Sequence, residues 1–127
     1  MDIAPRVLLF DDEPLVRETI SRMLSSHGFT VVAGHDGLDG LKQVKEGGYD
    51  VLVTDLFMPE VDGIELLQAT RKARPDIPII CMSGGGSHLP DDFGSKLLQG
   101  FNVRILAKPF GSDALLSTLH AALTDRP

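Results

Sequence analysis

Five side chains in this sequence have types that could act together on a phosphoryl group: the adjacent carboxylates Asp11 and Asp12, the carboxylate Asp55, the hydroxyl of Ser83 and the ammonium of Lys108. Three carboxylates cannot crowd together ionised without a compensating cation. Hard oxygen ligands with room for water suit Mg²⁺ better than zinc, which prefers His and Cys. The four histidines, at 27, 35, 88 and 120, have no ligand spacing. A carboxylate beside such a cation, with an ammonium and a hydroxyl nearby, can serve as a nucleophile and carry an acyl phosphate. Mg²⁺ and Lys108 would neutralise charge on the equatorial oxygens, and the Ser83 hydroxyl would hydrogen-bond one of them. The run Ser83-Gly84-Gly85-Gly86 would add backbone N–H groups. It is not a P-loop, because no Gly-Lys-Ser/Thr follows. Each residue has a plainer reading on its own: Asp12 or Glu13 as a helix cap, Asp55 as a strand-end aspartate, Ser83 as a turn residue, Lys108 as a solvated loop residue. The argument rests on their coincidence in space.

The elements that must position them are legible as apolar runs and stops. Val7 to Phe10 reads as a buried strand ending at Asp11-Asp12-Glu13-Pro14, with Pro14 opening a helix. That helix carries Val16, Ile20, Met23, Leu24 and His27 at helical spacing, with Arg17, Glu18, Ser21 and Arg22 outward. Gly28 followed by Phe29 resembles a left-handed glycine stop with its apolar contact. Thr30 to Ala33 is a second strand, and Gly37 to Glu46 a second helix stopped by Gly47-Gly48. Val51-Leu52-Val53-Thr54 reads as a strand buried on both faces, with Asp55 where strand gives way to loop and Pro59 beyond it. A helix follows over Ile64 to Ala73, then a strand over Ile77 to Met82, an irregular glycine-bearing stretch over Ser87 to Asn102, and a strand over Val103 to Ala107. Ser112 is expected to cap a last helix carrying Leu115, Leu116, Leu119 and Leu123. Strands alternating with helices predict an α/β fold with a parallel sheet and helices on both faces. All strand C-terminal ends then share one edge, where ligands bind in such sheets.

Composition narrows the function classes. The chain has 127 residues, which predicts a single domain spanning 1–127 with its core over about 6–124. A net charge of −6 argues against a nucleic-acid or anionic-membrane surface, which needs clustered Lys and Arg. No apolar run approaches the ~20 residues of a membrane helix, and no basic-then-apolar leader opens the chain. The lone Cys81 lies in the apolar run Ile79-Ile80-Cys81-Met82 and is expected to be a small buried thiol in a reducing compartment, consistent with the cytoplasm.

Asp11-Asp12, Asp55 with Met58-Pro59 and Asp62-Gly63, Ser83, and Lys108-Pro109-Phe110 together resemble the receiver domain of two-component response regulators. The resemblance covers essentially the whole chain. It implies a flavodoxin-like (βα)5 fold with strand order 2-1-3-4-5. It also implies that Asp55 takes a phosphoryl group from a phosphohistidine on a histidine kinase or a histidine phosphotransfer protein. Asp12 and Asp55 would bind Mg²⁺ directly, Asp11 through water, and the backbone carbonyl of Phe57 would complete the protein ligands. Ser83 and Lys108 would contact the phosphoryl oxygens, Ser83 swinging inward, and the Lys108-Pro109 bond would be cis. A downstream protein target, or a second copy of the chain, would meet the face made by the last two strands and helices. The phosphorylated product stays on the protein, so the expectation is a signalling protein in a phosphorelay and not a turnover enzyme.

Three departures from the family pattern stand out. Ile105 occupies the place three residues before the lysine where the family often has an aromatic switch residue. Gly84, Gly85, Gly86, Gly94 and Gly100 predict a mobile loop and a short or shifted helix where the family's fourth helix lies. Phe57 is bulky and apolar two places after Asp55, so it would shield an acyl phosphate from water, while Gly85 would leave the entrance open. Two competing readings are a phosphorylation-independent binding module of the same fold and an aspartyl-phosphate phosphatase. The second is disfavoured because Phe57 stands where such enzymes usually carry another carboxylate, and because no cap domain fits in the chain.

Overall fold

The computed structural model describes residues 4–11, 13–34, 37–55, 63–83, 103–108 and 110–124, the side chains of 37–39, 63–64 and 83 excepted. Asp12, Phe57, Met58-Pro59, Asp62, Pro109, the glycine-bearing stretch 84–102 and the Ser83 side chain therefore lie outside the described residues.

Nine elements follow in order: β1 (Arg6–Phe10), α1 (Pro14–Ser26), β2 (Thr30–Gly34), α2 (Gly37–Glu46), β3 (Val51–Asp55), α3 (Gly63–Ala73), β4 (Ile79–Ser83), β5 (Arg104–Ala107) and α4 (Ser112–Thr124). The five strands form one sheet in the order β2-β1-β3-β4-β5, and every pairing is parallel. This is the strand order expected above. β3 is central and buried at all five positions, which explains why its sequence is a continuous apolar run and not an alternating one.

The sheet separates two apolar layers. On one side Leu8, Phe10, Leu52, Ile79 and Cys81 meet Val44, Leu66 and Leu67 of α2 and α3. On the other, Val7, Leu9, Val51, Val53, Ile80 and Met82 meet Ile20 and Leu24 of α1 and Leu115 and Leu119 of α4. Strand residues thus alternate between two cores, as the period of two requires. Cys81 is fully buried, as expected of a small core thiol.

Local signals explain most boundaries. Pro14 is the first residue of α1. At its other end Gly28 takes φ +90°. The N–H of Phe29 donates to Leu24 O at 3.1 Å and that of Gly28 to Ser25 O at 3.3 Å, the paired bonds of a Schellman stop. Phe29 then packs in the same core as Leu24.

Five details differ from the sequence reading. Ser21 of α1 is not outward: its hydroxyl oxygen is buried. His27 is exposed, not inward: it is the C-cap, with Nδ1 on Met23 O at 2.9 Å. Arg17 is not turned outward but half-buried, folded back towards β1. β4 starts at Ile79, although Ile77 is fully buried, because Pro78 has no N–H for a ladder and contributes only its carbonyl, to Leu52 N at 3.1 Å. The first bond of α4 runs from Leu115 N to Gly111 O at 3.3 Å, so Ser112 is inside the first turn and Gly111 holds the cap position.

Candidate functional site at the carboxyl edge of the sheet

β1 and β3 are neighbours, so the residues at their ends stand side by side. Asp11 follows β1 directly and is fully buried; Asp55 is the last residue of β3 and 8% exposed. Lys108 follows β5. β5 lies two strands from β3, about 10 Å away at ordinary strand spacing. Only a long side chain reaches back across the end of β4, and Lys108 does so. Its Nζ donates to Asp11 Oδ2 at 2.7 Å and to Asp55 Oδ2 at 3.1 Å. Three of the residues singled out from the sequence are therefore in direct contact, across 97 and 53 positions of chain.

One ammonium shared by two buried carboxylates sets the electrostatics. Burial pulls the Lys108 pKa down, but hydrogen bonds to Asp11 and Asp55 and the attraction of both charges outweigh it, and the pKa is raised. Lys108 therefore stays a cation.

The backbone around the two carboxylates is tied as well. Asp11 Oδ1 accepts from the N–H of Glu13 at 2.9 Å, an Asx-type turn into α1. Glu13 is the N-cap residue, but its side chain makes no capping bond. The buried hydroxyl of Thr54 donates to the Asp55 carbonyl at 3.0 Å. Arg17 NH1 donates to the Asp11 carbonyl at 2.8 Å. The sequence reading missed Thr54 and Arg17. A polar residue inside a fully buried strand, and a cation in an α1 first-turn region that lacks an acidic residue, are the signals that could have found them.

The donor set fits a hard divalent cation. Two buried carboxylates meet at one ammonium, and all their ligating atoms are oxygen. Among the described residues no group of three His, Cys, Asp or Glu forms a metal cluster; Asp12, the third carboxylate of the sequence argument, is outside them. Ser83 ends β4 between the contributing strands. Ile105 pairs with Cys81 in the β4–β5 ladder and packs, partly buried, against the α2/α3-side core. Leu15, on the first turn of α1, is an exposed large apolar residue at 76%.

Comparison with known proteins points to one family. A family model described as the response regulator receiver domain matches residues 7–120. Response regulator MprA of Mycobacterium ulcerans is 34% identical over 121 residues, covering 93% of this chain and 50% of that protein. The chain thus spans about half the length of the curated relatives it matches. Among solved structures, a response regulator receiver protein from Sinorhizobium medicae superposes with a TM-score of 0.86 at 29% identity, over 98% of both chains. The receiver domain of the sensor histidine kinase PA1611 from Pseudomonas aeruginosa does so with a TM-score of 0.83 at 27% identity, over 97% of this chain and 100% of that one. That neighbour has a magnesium ion coordinated in its active-site cleft.

Proposed function

This chain belongs to the response regulator receiver domain family, and on that premise we propose that it is a phospho-accepting switch whose acceptor is Asp55. The observation that carries the reading is the Lys108 ammonium held between Asp11 and Asp55. Asp55 attacks the phosphorus of a phosphohistidine on a histidine kinase or histidine phosphotransfer protein. An O–P bond forms, the N–P bond breaks, and the histidine nitrogen leaves with the electron pair and takes up a proton. Lys108 stays charged throughout and neutralises oxygens of the transferred group. The Ser83 hydroxyl, at the end of the neighbouring strand, accepts the role of hydrogen-bond donor to another of them.

Mg²⁺ would be held by Asp12 and Asp55 directly, by Asp11 through water and by the carbonyl of Phe57, and it would supply charge neutralisation for the phosphoryl oxygens. The meeting of two buried carboxylates at the end of β1 and β3 supports this assignment. The phosphoryl group stays on the protein until hydrolysis, so the chain is a signalling component and not a turnover enzyme. The aromatic switch position holds Ile105. The family's aromatic switch is therefore not available in its usual form, and the face of the last two strands and helices, where a downstream protein or a second copy of the chain would dock by family analogy, signals differently. Nucleic acid is not the partner of this domain, given its net charge of −6. No helix among the described residues is long and apolar enough to cross a membrane, and a cytoplasmic setting fits a phosphohistidine donor.

Beryllofluoride or acetyl phosphate with Mg²⁺ tests the reading. Wild type is expected to show shifted amide resonances with the first and a slower Phos-tag band with the second, and Asp55→Asn neither. Identical behaviour of wild type and Asp55→Asn would leave a phosphorylation-independent binding module of the same fold.

A further inference from the structure

The groups assigned above all sit at strand ends. Arg17 sits on a helix, yet it reaches the same place. Its NH1 donates to the carbonyl oxygen of Asp11 at 2.8 Å. With that bond every polar group of Asp11 is engaged. Its N–H donates to Gly34 O at 3.4 Å, Oδ1 accepts from Glu13 N at 2.9 Å, and Oδ2 accepts from Lys108 Nζ at 2.7 Å. The carbonyl belongs to the peptide plane that joins Asp11 to Asp12. Whatever fixes that oxygen fixes the direction in which the chain leaves β1 at Asp11.

The location of Arg17 is unfavourable on local grounds. Pro14 is the first residue of α1 and no acidic residue occupies the first turn, so Arg17 sets a cation near the positive end of the helix dipole. Glu18 on the same helix is paired with Arg22. A residue that breaks a local rule while holding a site backbone group points to a role in that site.

We infer that Arg17 is a positioning residue for the metal-binding carboxylates, acting through the Asp11 carbonyl. The inference rests on the proposed Mg²⁺ site. It makes a prediction opposite in sign to simple electrostatics. A guanidinium beside two carboxylates repels a divalent cation, so removing its charge alone would tighten Mg²⁺ binding. Removing a positioning bond weakens it, as loss of outer-shell partners does.

The test is Mg²⁺ titration of the full chain, followed by amide resonances, for wild type, Arg17→Met, Arg17→Lys, Ile20→Val and Asp55→Asn. Ile20 is a buried core residue of the same helix. Arg17→Met is expected to weaken Mg²⁺ binding about tenfold, and to move the Glu13 amide resonance even without metal. Arg17→Lys, which restores a charged donor, is expected to recover much of the affinity, and Ile20→Val to leave it unchanged. Equal or tighter Mg²⁺ binding in Arg17→Met overturns the inference. So does an equal loss in Ile20→Val, which would make the effect one of helix stability. If Arg17→Met does not fold, Arg17→Gln takes its place with the same expected loss, and wild-type affinity in that variant overturns the inference. Wild type failing to bind Mg²⁺, and behaving as Asp55→Asn does, would instead overturn the functional reading and this inference together.

Discussion

Lys108 Nζ stands 3.1 Å from Asp55 Oδ2, although the two residues are 53 positions apart and two strands distant in the sheet. The same ammonium is 2.7 Å from Asp11. Without metal, Asp55 therefore places a second carboxylate on the ammonium that Asp11 already holds. Asp55→Asn keeps an acceptor oxygen for Lys108 and removes that charge, so it is expected to stabilise the metal-free domain by about 1 kcal/mol. Lys108→Met leaves two buried carboxylates without their shared donor and is expected to destabilise it by about 1–3 kcal/mol. Thermal melts of the three proteins in EDTA and in Mg²⁺ check both, and Mg²⁺ should narrow the gap between Asp55→Asn and wild type. A lower melting temperature for Asp55→Asn in EDTA would contradict the charge argument.

Leu15, the second residue of α1, is 76% exposed. On the proposed function, an exposed apolar side chain at the start of the helix that follows Asp11 is a natural contact for a protein donor. Leu15→Ser should slow phosphoryl transfer from a phosphohistidine protein about tenfold, through lost contact worth about 1.4 kcal/mol. It should leave the rate with acetyl phosphate unchanged. Parallel rate measurements with the two donors separate docking from chemistry, and an equal slowing with both would remove the docking role.

Gly40 of α2 lies against Leu66 of α3: a Cβ there would be 3.2 Å from both Leu66 Cδ atoms and 3.6 Å from Phe10 Cδ2. Leu66 and Phe10 are fully buried, so neither has room to yield freely. Ala for Gly gains about 1 kcal/mol of helix propensity, while overpacking a tight core costs about 1–3 kcal/mol. Gly40→Ala is expected to lose about 1 kcal/mol net in urea denaturation. A stability gain would mean that α2 and α3 part easily.

Cys81 is fully buried, and burial is the main cause that pushes its thiol up to about 12 from an ordinary 9.0, with Arg71 opposing and Asp55 adding. The neutral thiol is thus favoured in the folded state. Because the folded pKa is the higher one, this contribution is fully present below about pH 9 and is lost as pH rises towards about 12. Over that window Cys81 adds up to about 1.4 kcal/mol per pH unit to the loss of stability. Cys81→Ala should flatten that part of the stability profile in urea melts between pH 8 and about 11. Alkylation of Cys81 at pH 8 should proceed only at the rate of unfolding.

Much of this was legible in the residues themselves. The continuous apolar run before Asp55 could only be a central strand, and Gly28 and Gly47-Gly48, all with positive φ, marked the helix ends. Asp11, Asp55 and Lys108 were brought together by the rule that parallel strands end on one edge. What escaped was set by hydrogen bonds that no periodicity encodes. Arg17 falls on the polar side of the α1 pattern, yet its side chain is long enough to fold back to the Asp11 carbonyl. His27 fits the apolar spacing of α1 but comes after the last helical residue, where the chain has already begun to turn. Ser112 has the composition of a cap, but Gly111 supplies the carbonyl that starts α4. Ile77 is apolar and buried, yet the ladder begins beyond Pro78.

The cation that completes the acceptor comes from the last strand of the sheet. Asp11 and Asp55 precede Lys108 by 97 and 53 positions, so during synthesis the two carboxylates leave the ribosome before the ammonium they share, and their counter-ion arrives only when β5 docks beside β4.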